Sequence, residues 1–186
     1  SYRDSVFKGA WSGRYVVTEV TFALIAGGKP CLRYPQLLRD VREPERLGLA
    51  DVRERVLALR AEKSMVFAPS DPHSHSCGSF FVNPVLTPAQ QPLLEPLREQ
   101  GATLWPQPDG STKVPAAWLI EAAGMKRGTR RGAVGLSPHH ALALVAYEGA
   151  TSREVVALAH EIRSKVHSRF GIVLIPEPHF WGFGPL

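Results

Sequence analysis

The apolar positions of this chain switch between a strand-like and a helical period. From Arg14 to Leu24, Tyr15, Val16, Val17, Val20, Phe22 and Leu24 make a run rich in β-formers, which predicts a strand ended by Gly27-Gly28-Lys29-Pro30. From Asp51 the period becomes helical: Val52, Val56 and Leu59 recur on one face, and Asp51 and Glu54 have capping-box spacing. The run of helix formers fades near Lys63-Ser64, and Phe67 to Cys77 reads as a polar loop. Gly78-Ser79-Phe80-Phe81-Val82 predicts a short buried strand closed by Asn83-Pro84. Thr87-Pro88 opens a helix that Pro92 and Pro96 must fragment. Pro115 to Ala123 predicts a short helix stopped by Gly124, and Ala141 to Tyr147 a strand.

The clearest helix runs from Ser152 to Arg169. Thr151 and Glu154 cap it, Val155, Ala159, Ile162 and Val166 line its core face, and Gly171 closes it. A last strand, Ile172 to Ile175, leads into Pro176-Glu177-Pro178. Strands and helices alternate irregularly and without internal repeat, which predicts an α+β fold with a domain seam near Lys63–Pro69.

Composition narrows the class. With 186 residues, 44% hydrophobic and 21% charged, the chain is ordinary globular material rather than a disordered tail or a fibre. A chain of this length buries roughly 70% of its unfolded surface, so its core needs neither metal nor disulfide. Two cysteines, Cys31 and Cys77, are too few for a disulfide scaffold. No apolar run approaches the roughly 18 residues of a membrane span and no leader opens the sequence, so the expectation is a soluble cytoplasmic protein without a membrane partner.

The net charge of +5 raises the question of nucleic acid. Most arginines alternate with acids, as in Arg39-Asp40-Val41-Arg42-Glu43, which is the pattern of a solvated face. Only Lys126-Arg127-Gly128-Thr129-Arg130-Arg131-Gly132 is of one sign, and it holds no aromatic on which a base could stack. The positive charge therefore suits a phosphorylated small ligand at least as well as a polynucleotide.

Candidate chemistry is sparse. Ser79, between a glycine and two phenylalanines, is poorly solvated; it is either a structural hydroxyl bonded to backbone or a positioned proton donor. It does not sit in the G-x-S-x-G elbow of hydrolases. His73, His75 and Cys77 alternate, with His139-His140 further on, and could meet a metal on an extended strand. No second shell or C-x-x-C pair accompanies them, so a polar loop without metal is the preferred reading. Glu177 is held between two prolines, as a stiff carboxylate or as a surface turn. There is no G-x-G-x-x-G and no Walker loop. The arginines of Gly128–Gly132 could grip a pyrophosphate, though a solvated turn is the more economical reading.

Taken in order, these segments resemble the flavoenzyme family of UDP-N-acetylenolpyruvoylglucosamine reductase, or UDP-N-acetylmuramate dehydrogenase. The resemblance lies in Tyr2-Arg3-Asp4-Ser5-Val6-Phe7-Lys8, the segment to Leu24, Tyr34, Lys63, Gly78-Ser79-Phe80-Phe81 with Asn83-Pro84, and Gln107-Pro108-Asp109-Gly110-Ser111-Thr112-Lys113. It continues through Ala117-Trp118-Leu119-Ile120-Glu121, the Ala150-Thr151 helix and Leu174-Ile175-Pro176-Glu177-Pro178, and so covers residues 2 to about 182.

The resemblance implies reduction of an enolpyruvyl ether on a UDP-amino sugar, with hydride passing from NADPH to FAD and then to the terminal vinyl carbon. The neighbouring carbon then needs a proton. By position Ser79 is implied as its donor, with Arg3 and Glu177 polarising the enolpyruvyl group and stabilising the enol. Tyr2, Tyr34, Lys63, Asn83 and His140 match substrate-binding positions. Two departures stand out: His140 where the family often has glutamine, and Ala146 where it usually has asparagine.

No counterpart of the family's amino-terminal FAD-binding half is found between Ser1 and Leu186. The expected layout is therefore the tail of an FAD-binding α+β domain over 1–64 and a mixed α/β substrate-binding domain over 65–186. The expected partners are UDP-N-acetylglucosamine enolpyruvate and the FAD-binding half, with no nucleic acid. The rival readings are a stand-alone UDP-sugar-binding module or enzyme without flavin chemistry, and, less compatible with the charge pattern, a basic nucleic-acid-binding domain. The chain purified by itself is expected to be colourless and not to oxidise NADPH. A flavin absorbance band that survives gel filtration would overturn that expectation.

Overall fold

A computed structural model describes residues 5–184 and divides the chain into two compact units, Ser1–Val52 and Arg53–Leu186. Tyr2 and Arg3 lie outside the described residues. In the first unit, tight turns cover residues 6–14, with Trp11 set against Phe7 and Tyr15 at ring distances of 5.7 and 5.2 Å.

The strand expected from Arg14 to Leu24 does not form. Residues 15–25 are free of secondary structure and carry Val16, Phe22, Leu24 and Ile25 exposed. β-propensity measures fit to a pleated, half-buried surface, and here no second strand of the described residues pairs with the segment to supply one.

Helix α1 spans Leu49–Ala61, so the unit boundary falls inside it. It begins two residues before the expected start: Asp51 is not the cap but accepts the backbone N–H of Gly48 at 2.8 Å from inside the first turn. No α1 residue is buried, so its apolar stripe of Val52, Val56 and Leu59 contributes little to a core. The helix is closed by Ser64 in a left-handed conformation (φ +53°), with Met65 N–H donating to Arg60 O at 2.8 Å.

The second unit is an α+β arrangement of two small antiparallel sheets backed by helices. β1 (Ser76–Ser79), β7 (Ala143–Ala146), β6 (Val134–Leu136) and β5 (Arg130–Arg131) lie side by side in that order, which leaves β1 at an edge. β2 (Val85–Leu86), β4 (Thr112–Lys113) and β3 (Trp105–Pro106) form the other sheet, with β4 central. The expected strand at 78–82 thus starts earlier, and only its first residues join the ladder. Phe81 instead bridges to Pro176, and the expected final strand over 172–175 is an extended segment held by that bridge and by Val82 N–H donating to Ile175 O at 2.9 Å.

The proline-broken stretch resolves as a 3₁₀ turn, Pro88–Leu93, followed by α2, Leu94–Glu99, with Thr87 N–H donating to Gln90 Oε1 at 3.1 Å. α3 is Ala116–Ala122 and α4 is Ser152–Phe170. Both ends of α4 follow the pattern read from sequence: Thr151 N–H donates to Glu154 Oε2 at 2.8 Å, and Gly171 takes φ +67°. Leu158, Ala159, Ile162 and Val166 of α4 pack with Leu119 and Ile120 of α3, Val134 and Leu136 of β6, and Phe80 and Phe81. Val155, expected in that stripe, is only half-buried at its rim.

Ile162 is fully buried in this cluster. Ile162→Ala should therefore lower the unfolding free energy by about 2–5 kcal/mol, through lost transfer energy and a cavity that cannot collapse. Urea midpoints of the variant and the parent protein check it.

Candidate functional site

Ser79 is presented by a distortion of the edge strand. Ser76 pairs with Val145 and Ser79 with Ala143, so three steps along β1 match two along β7, and one extra residue is accommodated as a bulge. Gly78 sits in it at φ +77°, with its N–H donating to Ser76 Oγ at 3.3 Å. A Cβ at Gly78 would meet nothing within 4 Å, so backbone conformation rather than space requires glycine there. Ser79 is half-buried at the end of the strand.

The next residue joins three segments. Phe80 N–H donates to Leu142 O at 2.8 Å, and Phe80 O accepts Glu177 N–H at 2.8 Å. Ser79 and Glu177 are thus neighbours of one hydrogen-bonded residue, and His140 lies two residues before Leu142. Glu177 is exposed. This ladder brings Ser79, Glu177 and His140 to one end of the sheet.

His140 is half-buried, and its Nδ1 accepts the Leu142 N–H at 3.1 Å, which leaves Nε2 to carry the proton of the neutral ring. Burial, then the nearby Lys63 and Arg127 cations, hold its pKa below the ordinary imidazole value, with Glu121 acting weakly the other way. Lys63 is half-buried and itself engaged in a polar contact. Asn83 is positioned by fold as well as by sequence: its Oδ1 accepts the Ala116 N–H at 2.9 Å, which satisfies a first-turn amide of α3. Tyr34 lies in the first unit, exposed, at the entry to the 3₁₀ turn Pro35–Leu38. Ala146, the second departure from the family pattern, donates its N–H to His75 O at 2.9 Å.

The one-sign cluster is occupied by protein partners. Arg131 makes a two-pronged ion pair with Glu161 (2.8 and 3.0 Å), Arg127 pairs with Glu121 at 3.0 Å, and the Arg130 guanidinium lies 3.8 Å from the centre of the Tyr147 ring. The pyrophosphate reading of that loop loses its donors to these contacts.

His73, His75 and Cys77 do not share a strand face. His73 sits in a turn with its Nδ1 3.1 Å from Tyr147 Oη, the His75 ring lies tilted against Phe67 at 5.2 Å, and of the three only Cys77 is within β1. Among the described residues no three His, Cys, Asp or Glu side chains converge as a metal site, and no helix is long and apolar enough to cross a membrane. Sequence reasoning missed the Tyr147–His73–His139 contacts and the Asp71 carboxylate, whose pKa is lowered by the Ser64 hydroxyl, the His73 N–H and the two imidazoles. Pairings across 74 residues of sequence leave no local signal.

The second unit is an α+β domain in which Ser79, the Glu177 segment and the His140 loop are tied together through the backbone of Phe80. Comparison with known proteins is more specific. The family model described as "UDP-N-acetylenolpyruvoylglucosamine reductase, C-terminal domain" matches residues 70–181, and the chain belongs to that oxidoreductase family. The chain is 44% identical over 188 residues to the UDP-N-acetylenolpyruvoylglucosamine reductase of Thermobifida fusca, covering 96% of itself and 52% of that protein. It is 44% identical over 192 residues to that of Mycobacterium tuberculosis (95% and 51% covered) and 39% over 179 residues to that of Ralstonia nicotianae (95% and 51%). The chain thus spans about half the length of these relatives.

The depressed pKa of His140 has a consequence for stability. The unfolded chain takes up the proton first, near the ordinary value of about 6.5, and the folded chain only at lower pH. Stability should therefore fall as pH drops from about 6.5 through the depressed folded value, and then level off. His140→Gln should flatten that part of the profile, as measured by urea midpoints between pH 7.5 and 5.

Proposed function

We propose that this chain supplies the substrate site and the proton donor for NADPH- and FAD-dependent reduction of UDP-N-acetylglucosamine enolpyruvate to UDP-N-acetylmuramate, in peptidoglycan synthesis. The observation that carries the reading is the backbone junction at Phe80, which ties the Ser79 strand to the Glu177 segment and the His140 loop. Family membership gives that junction its chemistry.

FAD is not accommodated by the described residues of this chain alone. The one-sign basic loop commits Arg127, Arg130 and Arg131 to Glu121, Tyr147 and Glu161. In the whole enzyme NADPH and FAD supply the hydride; the residues here handle the substrate and the proton.

Hydride addition to the terminal vinyl carbon leaves carbanion or enol character on the neighbouring carbon. A serine hydroxyl is a weak acid in water, yet an oriented donor in a dry site suffices for so basic a partner. Half-burial beside Phe80 and a bulge that fixes its backbone suit Ser79 to that role. Glu177 and Arg3 would stabilise the enol and grip the carboxylate, while Tyr2, Tyr34, Lys63, Asn83 and a neutral His140 Nε2–H would hold the UDP-sugar. Lys63 is a suitable phosphate donor because it brings positive charge to a half-buried place next to His140. His140 in place of glutamine retains one donor of shorter reach.

Ser79→Ala tests this in the enzyme carrying its flavin-binding half. Substrate reduction should slow on the order of 10²–10⁴-fold, while reduction of the flavin by NADPH stays within a few-fold of the parent rate. Glu177→Gln should show the same asymmetry. Stopped-flow measurement of the two half-reactions decides it, and equal slowing of both would make Ser79 a folding residue only.

A further inference from the structure

The turn that follows Lys63 is built around a residue in an unfavourable conformation. Ser64 takes φ +53°, a region that glycine enters freely and other residues rarely adopt. It is also buried, with 3% of its surface exposed, and its hydroxyl donates to the Asp71 carboxylate. A left-handed residue other than glycine persists only where its surroundings fix it. Glycine would satisfy the backbone here, so what serine adds is the bond to Asp71.

Asp71 is braced in turn from its other side. Its Oδ1 accepts the His73 N–H at 2.9 Å. The buried Ser74 hydroxyl shares its proton between Asp71 O at 2.8 Å and Ala68 O at 3.0 Å, and accepts the Ala68 N–H at 3.1 Å. Ser76, the first residue of β1, donates its N–H to Ser74 O at 3.0 Å. The loop is thus closed by its own hydrogen bonds and anchored in the edge strand, and the Asp71 carboxylate reaches from it back to the turn after Lys63. On the α1 side the same turn is held by Ser64 N–H donating to Ala61 O and Met65 N–H to Arg60 O, both at 2.8 Å.

Lys63 is half-buried, and after burial its cation is the main influence holding the His140 pKa below the ordinary imidazole value. A lysine ammonium rides on a flexible four-carbon stem, so its place depends on how firmly its backbone is held. We propose that Asp71 is a positioning residue: through the Ser64 hydroxyl it locks the turn after α1 and so holds the Lys63 ammonium beside His140, where it meets the phosphates of the substrate. The phosphate contact rests on the reading of Lys63 as a phosphate donor; the positioning of Lys63 by Asp71 does not.

The enzyme carrying its flavin-binding half, with labelled histidines, tests both parts. NMR titration follows His140, and calorimetry without NADPH follows binding of UDP-N-acetylglucosamine enolpyruvate. Ser64→Gly keeps the backbone conformation and removes only the hydroxyl, while Asp71→Ala removes its acceptor. Both should raise the His140 midpoint toward the ordinary imidazole value, as Lys63→Gln does, because a cation that opposes protonation has moved away. Loss of the Asp71 charge by itself acts in the opposite direction, so a rise reports on Lys63. Both variants should weaken substrate binding roughly three- to thirtyfold, the scale of coupling between contacting residues, and neither should weaken it further in Lys63→Gln. Asp71→Asn, which retains an acceptor oxygen, should restore most of the binding. A His140 midpoint unmoved in Ser64→Gly and Asp71→Ala would overturn the positioning role, as would substrate binding that weakens equally with and without Lys63. Should Lys63→Gln shift His140 yet leave substrate binding intact, the phosphate-donor reading fails, and His140 alone decides the positioning.

Discussion

Phe80 is the point on which the second unit depends. Its N–H is bonded to Leu142 O and its O to Glu177 N–H, both at 2.8 Å, while its side chain is buried against Phe81 and Phe180 at ring distances of 5.1 and 6.0 Å. A buried peptide group must be paired, and pairing this one on both sides requires strand β7 and the 172–178 segment to run on either side of it. The α3–α4 layer then closes the core over the same aromatic pair. The Ser79 strand and the Glu177 segment run side by side because Phe80, next to Ser79, has a backbone that cannot be left unsatisfied.

The chain carries +5, yet within the densest run of arginines Arg127 and Arg131 are paired with Glu121 and Glu161, and Arg130 lies over the Tyr147 ring. At His140 the charges that act are Lys63 and Arg127, tempered by Glu121. This explains why a histidine can stand here uncharged: burial and two cations both oppose its protonation.

Much of the second unit was legible along the chain. α4 could be read end to end because the Thr151–Glu154 box, the apolar stripe and Gly171 all act within a few residues of one another. The proline-broken 3₁₀ turn and α2, the α3 stop at Gly124 and the β7 segment follow from equally local chemistry. Where the reading failed, pairing was at issue. Tyr15–Leu24 has strand composition but no partner strand among the described residues, and 172–175 is extended yet only bridged.

The candidate site divides along the same line. Sequence by itself singled out the candidates for chemistry: a serine wedged before two phenylalanines, a carboxylate between prolines, and His140. Those are properties of neighbours in the chain, and conformational preference and solvation act at that range. Only the tertiary structure decided that Gly78 opens a bulge beneath Ser79, that Asn83 caps α3, that the arginine loop is engaged by Glu121 and Glu161, and that His73 meets Tyr147. Apart from Arg127–Glu121, six residues apart, those contacts join residues about 30 to 74 positions apart or depend on a ladder register that does. No local preference encodes them; they exist because buried polar groups and paired charges find their partners only when the layers close.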